Sequence, residues 1–187
     1  YVVAKEMSPL QYFLELPQSE GGLGWSSSEF GLFIGSRGFF NVYLLMLFVS
    51  GVILDKTGVR FAGMLSCVLM LVGTAIDYYA IAIASPVPAT EVTFPTLGLD
   101  HTMVKDQVLM SAFGFAVFGI GYELCGITVS KVIVKWFSGK EMALAMGIQV
   151  ALARLGTALA LLGGPFLAKY YQLSTPILVG LFSVGLA

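Results

Sequence analysis

Long apolar runs separated by short polar segments dominate the chain, and they predict a bundle of membrane-spanning helices. A helix needs about 20 residues to cross the hydrocarbon core of a bilayer, and four internal runs are longer than that. Two shorter runs at the ends are predicted to be parts of spans. The predicted spans are residues 1–16 (partial), 29–54, 61–84, 108–134, 142–168 and 176–187 (partial). The pattern therefore predicts an all-α membrane protein in which residues 1–187 form one transmembrane unit, a partial six-helix bundle.

The distribution of basic residues predicts which ends of the spans face the cytoplasm. Positive charges flank the second-to-third and fourth-to-fifth connections, at Lys56, Arg60, Lys131, Lys135 and Lys140. The opposite connections hold fewer of them. Because cytoplasmic loops carry an excess of Lys and Arg, the two basic turns are predicted to be cytoplasmic. The polar, proline-containing segment 85–107 is then predicted to be a loop on the outer face.

Composition agrees with a membrane protein and disfavours other classes. Hydrophobic residues make up 57% of the chain and charged residues 11%, against about 25% charged in soluble domains. The net charge of −1 gives no reason to expect a nucleic-acid partner. Cys67, Cys125 and the single histidine, His101, lie far apart in the sequence, so no metal site is predicted. No nucleophile or phosphate-loop motif is present in the sequence, and an enzyme is not expected.

The turn at 51–60 reads G-V-I-L-D-K-T-G-V-R and resembles the cytoplasmic loop signature of the major facilitator superfamily, G-x-x-x-D-[RK]-x-G-x-[RK]. Its matching residues are Gly51, Asp55, Lys56, Gly58 and Arg60. A generic cytoplasmic turn would also hold basic residues and helix-ending glycines, but five matched positions favour the family. The resemblance implies the N-terminal half of a twelve-span transporter, with the C-terminal half of the same chain as its partner. It also implies that these five residues form a gating loop.

Two charged residues are predicted to lie deep in the membrane. Glu123 is 13 residues before Trp136, and Arg154 is 13 residues after Glu141. At about 1.5 Å per residue, both lie about 20 Å from the turn that joins their helices. Charges at such depth cost about 2.5–3.5 kcal/mol on insertion scales and are functional candidates by default. They either bind a zwitterionic solute in a water-lined site or form a structural ion pair, which desolvation makes a poor stabiliser.

Residues nearer the outer ends of the spans are predicted to serve the interface. Counting along the helices places Arg37 and Asp77 about 25 Å from the cytoplasmic loop, where snorkelling to the headgroups would satisfy both. A pair of these two charges that gates the outer side is the alternative, and the interfacial interpretation is favoured. Trp25 suits a headgroup-level anchor. Ser27 or Ser28 is the predicted cap of the second span.

Further motifs resemble the branch of the superfamily that contains the lysosomal dipeptide uniporter. They are F-N-V at 40–42, F-G-I-G-Y-E at 118–123, W-F-S-G-K-E at 136–141 and G-I-Q-V-A-L-A-R-L-G-T at 147–157. In that branch a span-four Glu and a span-five Arg hold the charged termini of the peptide, and these places fall on Glu123 and Arg154. Asn41 and Tyr122 complete the predicted substrate-binding set. Tyr122 stands where a small residue is expected, which predicts a pocket of a different size.

The predicted function is secondary active or facilitative transport of a small polar solute by alternating access. Short peptides or amino-acid-like zwitterions are the first choice, and organic anions held by Arg154 are the second. A non-transporting membrane scaffold is the alternative from another class. No cofactor is expected, although Glu123 is a candidate for proton coupling. The chain begins without Met and ends within an apolar run, so a fragment is expected, from a multi-pass protein of a bacterial inner membrane.

Overall fold

The computed structural model describes the chain except for residues 1–4, 6, 21, 44, 83–88, 95–98, 138, 172–173 and 187. Within the described ranges the chain is mainly helical, with one small sheet. The helices are α1 Gln11–Glu15, α2 Ser27–Tyr43, α3 Met46–Ala82, α4 Asp106–Trp136, α5 Lys140–Tyr170 and α6 Thr175–Gly185. The strands are β1 Ala89–Phe94 and β2 Leu99–Lys105, and 3₁₀ turns occupy Ser8–Leu10 and Gln18–Glu20.

Three helices in the described part of the chain are long and apolar enough to cross a membrane. They are Met46–Ala82, Asp106–Trp136 and Glu141–Tyr170. The shorter apolar helix Thr175–Gly185 follows them. A helix of 31 residues, such as α4, is about 46 Å long at 1.5 Å per residue, which exceeds the hydrocarbon core of about 30 Å. The prediction of a helical membrane bundle is confirmed.

Breaks in the backbone divide the region between Ser27 and Ala82 differently from the predicted spans. The predicted span 29–54 contains the end of α2 at Tyr43, and Leu45 then adopts a positive φ of 47°. The predicted loop 51–60 is helical apart from Gly58, whose φ of 84° and ψ of 167° lie outside the helical region. Because glycine alone reaches this backbone region readily, Gly58 makes the turn between the helical segments 46–57 and 59–82.

Glycines bring α3 and α4 into close contact. A Cβ atom on Gly73 would lie 2.6 Å from the carbonyl oxygen of Gly114, and one on Gly121 would lie 2.8 Å from the carbonyl oxygen of Ser66. Real side chains do not fit at such distances, so the two backbones touch where these residues meet. Small residues allow this kind of packing between membrane helices, where dispersion contacts replace the hydrophobic effect as the driving force.

Aromatic residues form the main core between α2 and α4, close to the ends of these helices that begin at Ser27 and Asp106. The rings of Phe33 and Phe115 stack with their centroids 4.9 Å apart, and those of Phe115 and Phe118 are 5.8 Å apart. Trp25 belongs to this core, being 3% exposed, and its indole Nε1 donates to the Gln107 side-chain oxygen at 3.4 Å. Trp25 is therefore a core residue, and its prediction as a headgroup anchor was wrong.

The start of α2 is held by a capping box at Ser26. The Ser26 hydroxyl accepts a hydrogen bond from the Glu29 amide at 3.2 Å, and the Glu29 carboxylate accepts one from the Ser26 amide at 2.8 Å. This reciprocal arrangement satisfies two donors that the helix leaves free. The cap is thus Ser26 rather than Ser27 or Ser28. Glu29 also accepts from the Lys105 amide at 3.0 Å, which ties the end of β2 to α2.

The segment predicted as an outer loop contains an antiparallel β-hairpin. Ala89 pairs with Lys105 and Glu91 with Met103, and the register shifts between Val92 and Phe94. The prolines of this segment favour a loop, whereas its alternating β-branched residues favour a strand. The three prolines lie in ranges outside the described residues.

The fifth helix, α5, leaves most of its apolar surface uncovered. Its exposed large side chains include Leu144, Leu152, Leu155, Leu159, Leu162 and Phe166. In a membrane protein such a surface faces lipid or further protein, because contact with either keeps the apolar groups out of water.

Candidate functional site

A cavity of about 870 Å³ lies between α3, α4, α5 and α6. Its wall is largely apolar, with a few polar side chains from three of these helices. The polar lining residues are Tyr122, Glu123, Ser130, Gln149 and Ser183. A concave, mainly apolar site of this size with few polar groups is typical of small-molecule binding. The cavity is therefore the candidate solute-binding site.

Glu123 supplies the one carboxyl group among the described residues that line the cavity. It lies near the middle of α4, beside Tyr122, and its side chain is half-buried. A carboxylate in an apolar wall attracts a cation more strongly than one in water, because the surrounding dielectric constant is lower. The position suits recognition of an amine. Glu123 and Tyr122, two of the predicted substrate-binding residues, thus both line the cavity.

Arg154, the predicted partner of Glu123, does not line the cavity. Its neighbours Ala153 and Gly156 do, so this part of α5 lies at the level of Glu123, as the depth argument expects. The Arg154 side chain itself is exposed. Within the described residues no ion pair joins it to Glu123. The structure therefore does not bring the two charges together, either as a structural pair or across the cavity.

Arg37 lies at a different depth from the one that residue counting predicts. The Arg37 guanidinium is 5.3 Å from the centre of the Tyr122 ring, and its backbone packs on Gly119. Both neighbours are near the middle of α4, so Arg37 is not at the outer edge. The prediction was wrong because counting treated 29–54 as one straight helix, whereas α2 ends at Tyr43. The position of Arg37 beside a cavity-lining residue was therefore not predicted from the sequence.

Two polar atoms on this face of α2 lack hydrogen-bond partners. They are Nη1 of Arg37 and the side-chain oxygen of Asn41, and both are inaccessible to solvent. Arg37 and Asn41 are four residues apart, which places them on the same side of a helix. Asn41 was predicted as a substrate-binding residue, and the structure places it one turn from Arg37.

Asp77 is fully buried between α3 and α4, with 0% exposure. One carboxylate oxygen accepts a hydrogen bond from the Ser111 hydroxyl at 3.2 Å, and the other has no partner. Gly114 faces it closely, since a Cβ there would lie 2.9 Å from the first oxygen. The prediction that Asp77 snorkels to the headgroups was wrong, because helix packing encloses the side chain.

The gating-loop residues lie where α3 meets the end of α4. Asp55 forms an ion pair with Lys131 of α4, and both side chains are substantially exposed, at 75% and 41%. Lys56 and Arg60 are exposed, Gly51 is half-buried, and Gly58 makes the turn. From the sequence, Lys131 was predicted only to flank a cytoplasmic connection. Its position close to the end of span four was the one signal that it could meet Asp55. The ion pair brings the two basic connections to the same end of the bundle.

Comparison with protein families gives the class of this protein. The model of the Major Facilitator Superfamily matches residues 12–187, which is nearly the whole chain. The chain therefore belongs to the Major Facilitator Superfamily and is a multi-pass integral membrane protein of a transporter family rather than an enzyme. The predicted fold class, a partial helical bundle of that superfamily, is confirmed.

Individual relatives narrow the resemblance to one group of curated proteins. The lysosomal dipeptide transporter MFSD1 of Homo sapiens is 44% identical over 45 residues, which cover 24% of this chain and 10% of that protein. The lysosomal dipeptide transporter MFSD1 of Danio rerio is 30% identical over 115 residues, covering 61% of this chain and 20% of that protein. The chain thus matches one fifth or less of the length of these relatives. No solved structure matches it significantly.

Proposed function

We propose that this chain forms the N-terminal half of an alternating-access transporter for short peptides or amino-acid-like zwitterions. The observation that carries the proposal is the position of Glu123, whose carboxyl group lies in the wall of an otherwise mainly apolar cavity. Transporters of this superfamily hold their solute near the midplane, between two six-span halves. The C-terminal half of the same chain is the proposed second wall. The names of the MFSD1 relatives, which are dipeptide transporters, support a peptide as the solute.

Glu123 is proposed to bind the amine of the solute, which carries a positive charge at neutral pH. The apolar lining then accommodates small side chains of varied shape, because hydrophobic contact is not directional. Organic anions are the weaker alternative, since the carboxylate of Glu123 would repel them. The sequence also offers Arg154 for the solute carboxylate, although that side chain is exposed.

The ion pair between Asp55 and Lys131 is proposed to favour one access state. Exposed ion pairs contribute about 0–1 kcal/mol, so this one can form and break during each transport cycle. Gly58, with its positive φ, lies next to the pair and can act as the hinge between the helical segments of α3. Lys56 and Arg60 are proposed to keep this turn on the cytoplasmic side.

Proton coupling and location are further parts of the proposal. Glu123 is the proposed residue for coupling transport to a proton gradient. The short connections between the helices favour a bacterial inner membrane, and the lysosomal membrane named for the relatives is the other location. Uptake that follows an imposed proton gradient and is lost in Glu123→Gln would support symport, whereas uptake independent of the gradient supports uniport.

Uptake by the full-length protein in proteoliposomes tests the function. We expect transport of an alanyl-alanine dipeptide and little transport of its N-acetyl derivative, which has no charged amine. Glu123→Gln should reduce uptake by about 10- to 100-fold, because a bond to a charged group contributes about 1.5–3 kcal/mol. Glu141→Gln, a matched change at an exposed position on α5, should retain uptake. Competition by neutral sugars in preference to dipeptides would contradict the proposal.

A further inference from the structure

The guanidinium of Arg37 has an unmet requirement for a hydrogen-bond acceptor. Its Nη1 atom is inaccessible to solvent and donates to no group. In the part of the chain that the structure describes, Arg37 forms no ion pair with a carboxylate. A buried donor on a charged group is costly unless it is paired, because it has lost its water without gaining an acceptor. The acceptor is therefore expected to come from outside the described residues.

The surroundings of Arg37 hold it beside the cavity. The guanidinium lies over the Tyr122 ring at 5.3 Å, and an aromatic face attracts and orients such a cation. Tyr122 lines the cavity together with Glu123. Arg37 thus contacts a lining residue without itself lining the cavity. It belongs to α2, whereas Glu123 belongs to α4. A side chain as long as arginine can reach past the ring edge by changing its rotamer.

Asn41 adds a second polar group at the same place. Its side-chain oxygen is also buried without a partner, and it lies one helical turn from Arg37. The amide group can donate as well as accept. Arginine and asparagine together therefore offer several donors to one planar anion, and arginine binds a carboxylate through two parallel bonds.

The nearby carboxyl groups do not satisfy Arg37. Asp77 accepts from Ser111 and is enclosed by α3 and α4. Glu123 is adjacent in sequence to Tyr122, yet it forms no ion pair with Arg37 within the described residues. Arg37 and Glu123 are therefore separate charges of opposite sign on α2 and α4, as recognition of a zwitterion requires.

We infer that Arg37, supported by Asn41, binds the carboxylate of the transported solute, while Glu123 binds its amine. The inference rests on the proposed function and deepens it, because it assigns the anionic end of the solute to α2 instead of to Arg154 on α5. The substrate class it defines is a small molecule with a free amine and a free carboxylate, such as a short peptide with an unmodified C-terminus.

The test compares a dipeptide with its C-terminal amide as competitors for uptake by the full-length protein in proteoliposomes. For the wild type we expect the free acid to compete about 10-fold better or more, as one charge-assisted interaction implies. Arg37→Gln should bring the two competitors to within about two-fold of each other, because the group that distinguishes them is gone. Arg154→Gln tests the rival assignment of the carboxylate to α5 and should leave the preference for the free acid unchanged. Lys169→Gln, at an exposed position on α5, is the matched control.

The ratio of the two competitors separates binding from a structural role, since a general loss of folded protein lowers uptake of both equally. If Arg37→Gln does not insert into the membrane, Arg37→Lys replaces it as the test. Lysine keeps the charge but cannot form two parallel bonds to a carboxylate, so the preference for the free acid should be smaller than in the wild type but not absent. An unchanged ratio in either Arg37 variant, or loss of the preference in Arg154→Gln alone, would overturn the inference and leave the proposed function intact. A wild type that takes up no dipeptide would overturn both.

Discussion

The carboxyl group of Asp77 shows how one hydroxyl can accommodate a charge-bearing residue inside a helix contact. Ser111 donates to it at 3.2 Å, and the close approach of Gly114 leaves little room for water. Membrane interiors offer few alternative partners, so a polar residue there depends on its immediate neighbours. The stability of this contact should therefore depend on Ser111 more than on most serines of the same helix.

We predict that Ser111→Ala lowers the stability of the protein in detergent by about 1–3 kcal/mol, because a buried acceptor loses its donor. Ser130→Ala is the matched control: the Ser130 hydroxyl donates to the Gly126 carbonyl of its own helix, and its loss should be nearly neutral. Thermal unfolding of both variants gives the comparison. Adding Asp77→Leu to Ser111→Ala should recover most of the loss, and a double variant as unstable as the single one would contradict this account.

The sequence was sufficient to identify Glu123 as a candidate site residue, but it did not show that Arg37 lies close by. Glu123 was found from its depth in the span, and the structure places it in the cavity wall. Arg37 was assigned to the outer edge because counting along a helix measures depth only where the helix is unbroken. Trp25 and Asp77 were assigned to the interface because sequence shows amphipathic or charged character, whereas burial depends on which helices pack against each position.

At the scale of elements, the contact between α3 and α4 depends on glycine. Gly73 meets the backbone of Gly114 and Phe118, whereas Gly126, farther along α4, has nothing within 4 Å of an added Cβ. The two positions carry the same residue in the same kind of helix, and they differ in what surrounds them. Alanine substitutions at Gly73 and Gly126 therefore distinguish the effect of helix packing on stability from the effect of helix propensity.

We predict that Gly73→Ala destabilises the protein by about 1–3 kcal/mol through overpacking. Gly126→Ala should be neutral or stabilising by up to about 1 kcal/mol, because alanine favours the helix. Unfolding midpoints in a single detergent measure both. Equal effects at the two positions would show that the helices separate more easily than their backbone contact implies.

The helices that cross the membrane were predictable from length and hydropathy, since α4 and α5 differ from the predicted spans by a few residues at each end. The break before Met46 was not, because neither Leu44 nor Leu45 is a residue that favours a turn, and Leu45 has a positive φ that leucine rarely adopts. The β-hairpin was missed because prolines dominate the sequence signal of its segment. The structure at the break and in the hairpin depends on tertiary contacts, such as that of Glu29 with Lys105, which the local sequence does not show.

In the whole molecule, the ion pair of Asp55 with Lys131 joins two connections that are far apart in sequence. We predict that Asp55→Asn shifts the balance between inward-open and outward-open states by about two- to five-fold, as an exposed ion pair of about 0.3–1 kcal/mol implies. Cysteine accessibility from each side of the membrane in the full-length protein measures the balance. The swap Asp55→Lys with Lys131→Asp should restore it, and Lys135→Gln, at an exposed position near the end of α4, serves as the control.

Unchanged accessibility in Asp55→Asn would exclude a role of the ion pair in access. The result would leave the family assignment untouched, because that rests on the match over residues 12–187. The motif at 51–60 was sufficient to predict this family from sequence. The partner of Asp55 was not predictable, since a sequence pattern specifies which residues are present but not which distant residue meets them.

The same ion pair joins two parts of the chain that the ribosome makes at different times. Leu54 and Ala62, on either side of the Gly58 turn, belong to one small buried cluster with Leu124 of α4, so this cluster is complete only after the fourth helix has been made. Lys131 follows Asp55 by 76 residues, which takes about 4–15 s at about 5–20 residues per second. During that interval Asp55, Lys56 and Arg60 have been made and Lys131 has not. Any effect of the turn's own charges on its orientation therefore precedes the ion pair, which can form only after Lys131 of α4 has been made.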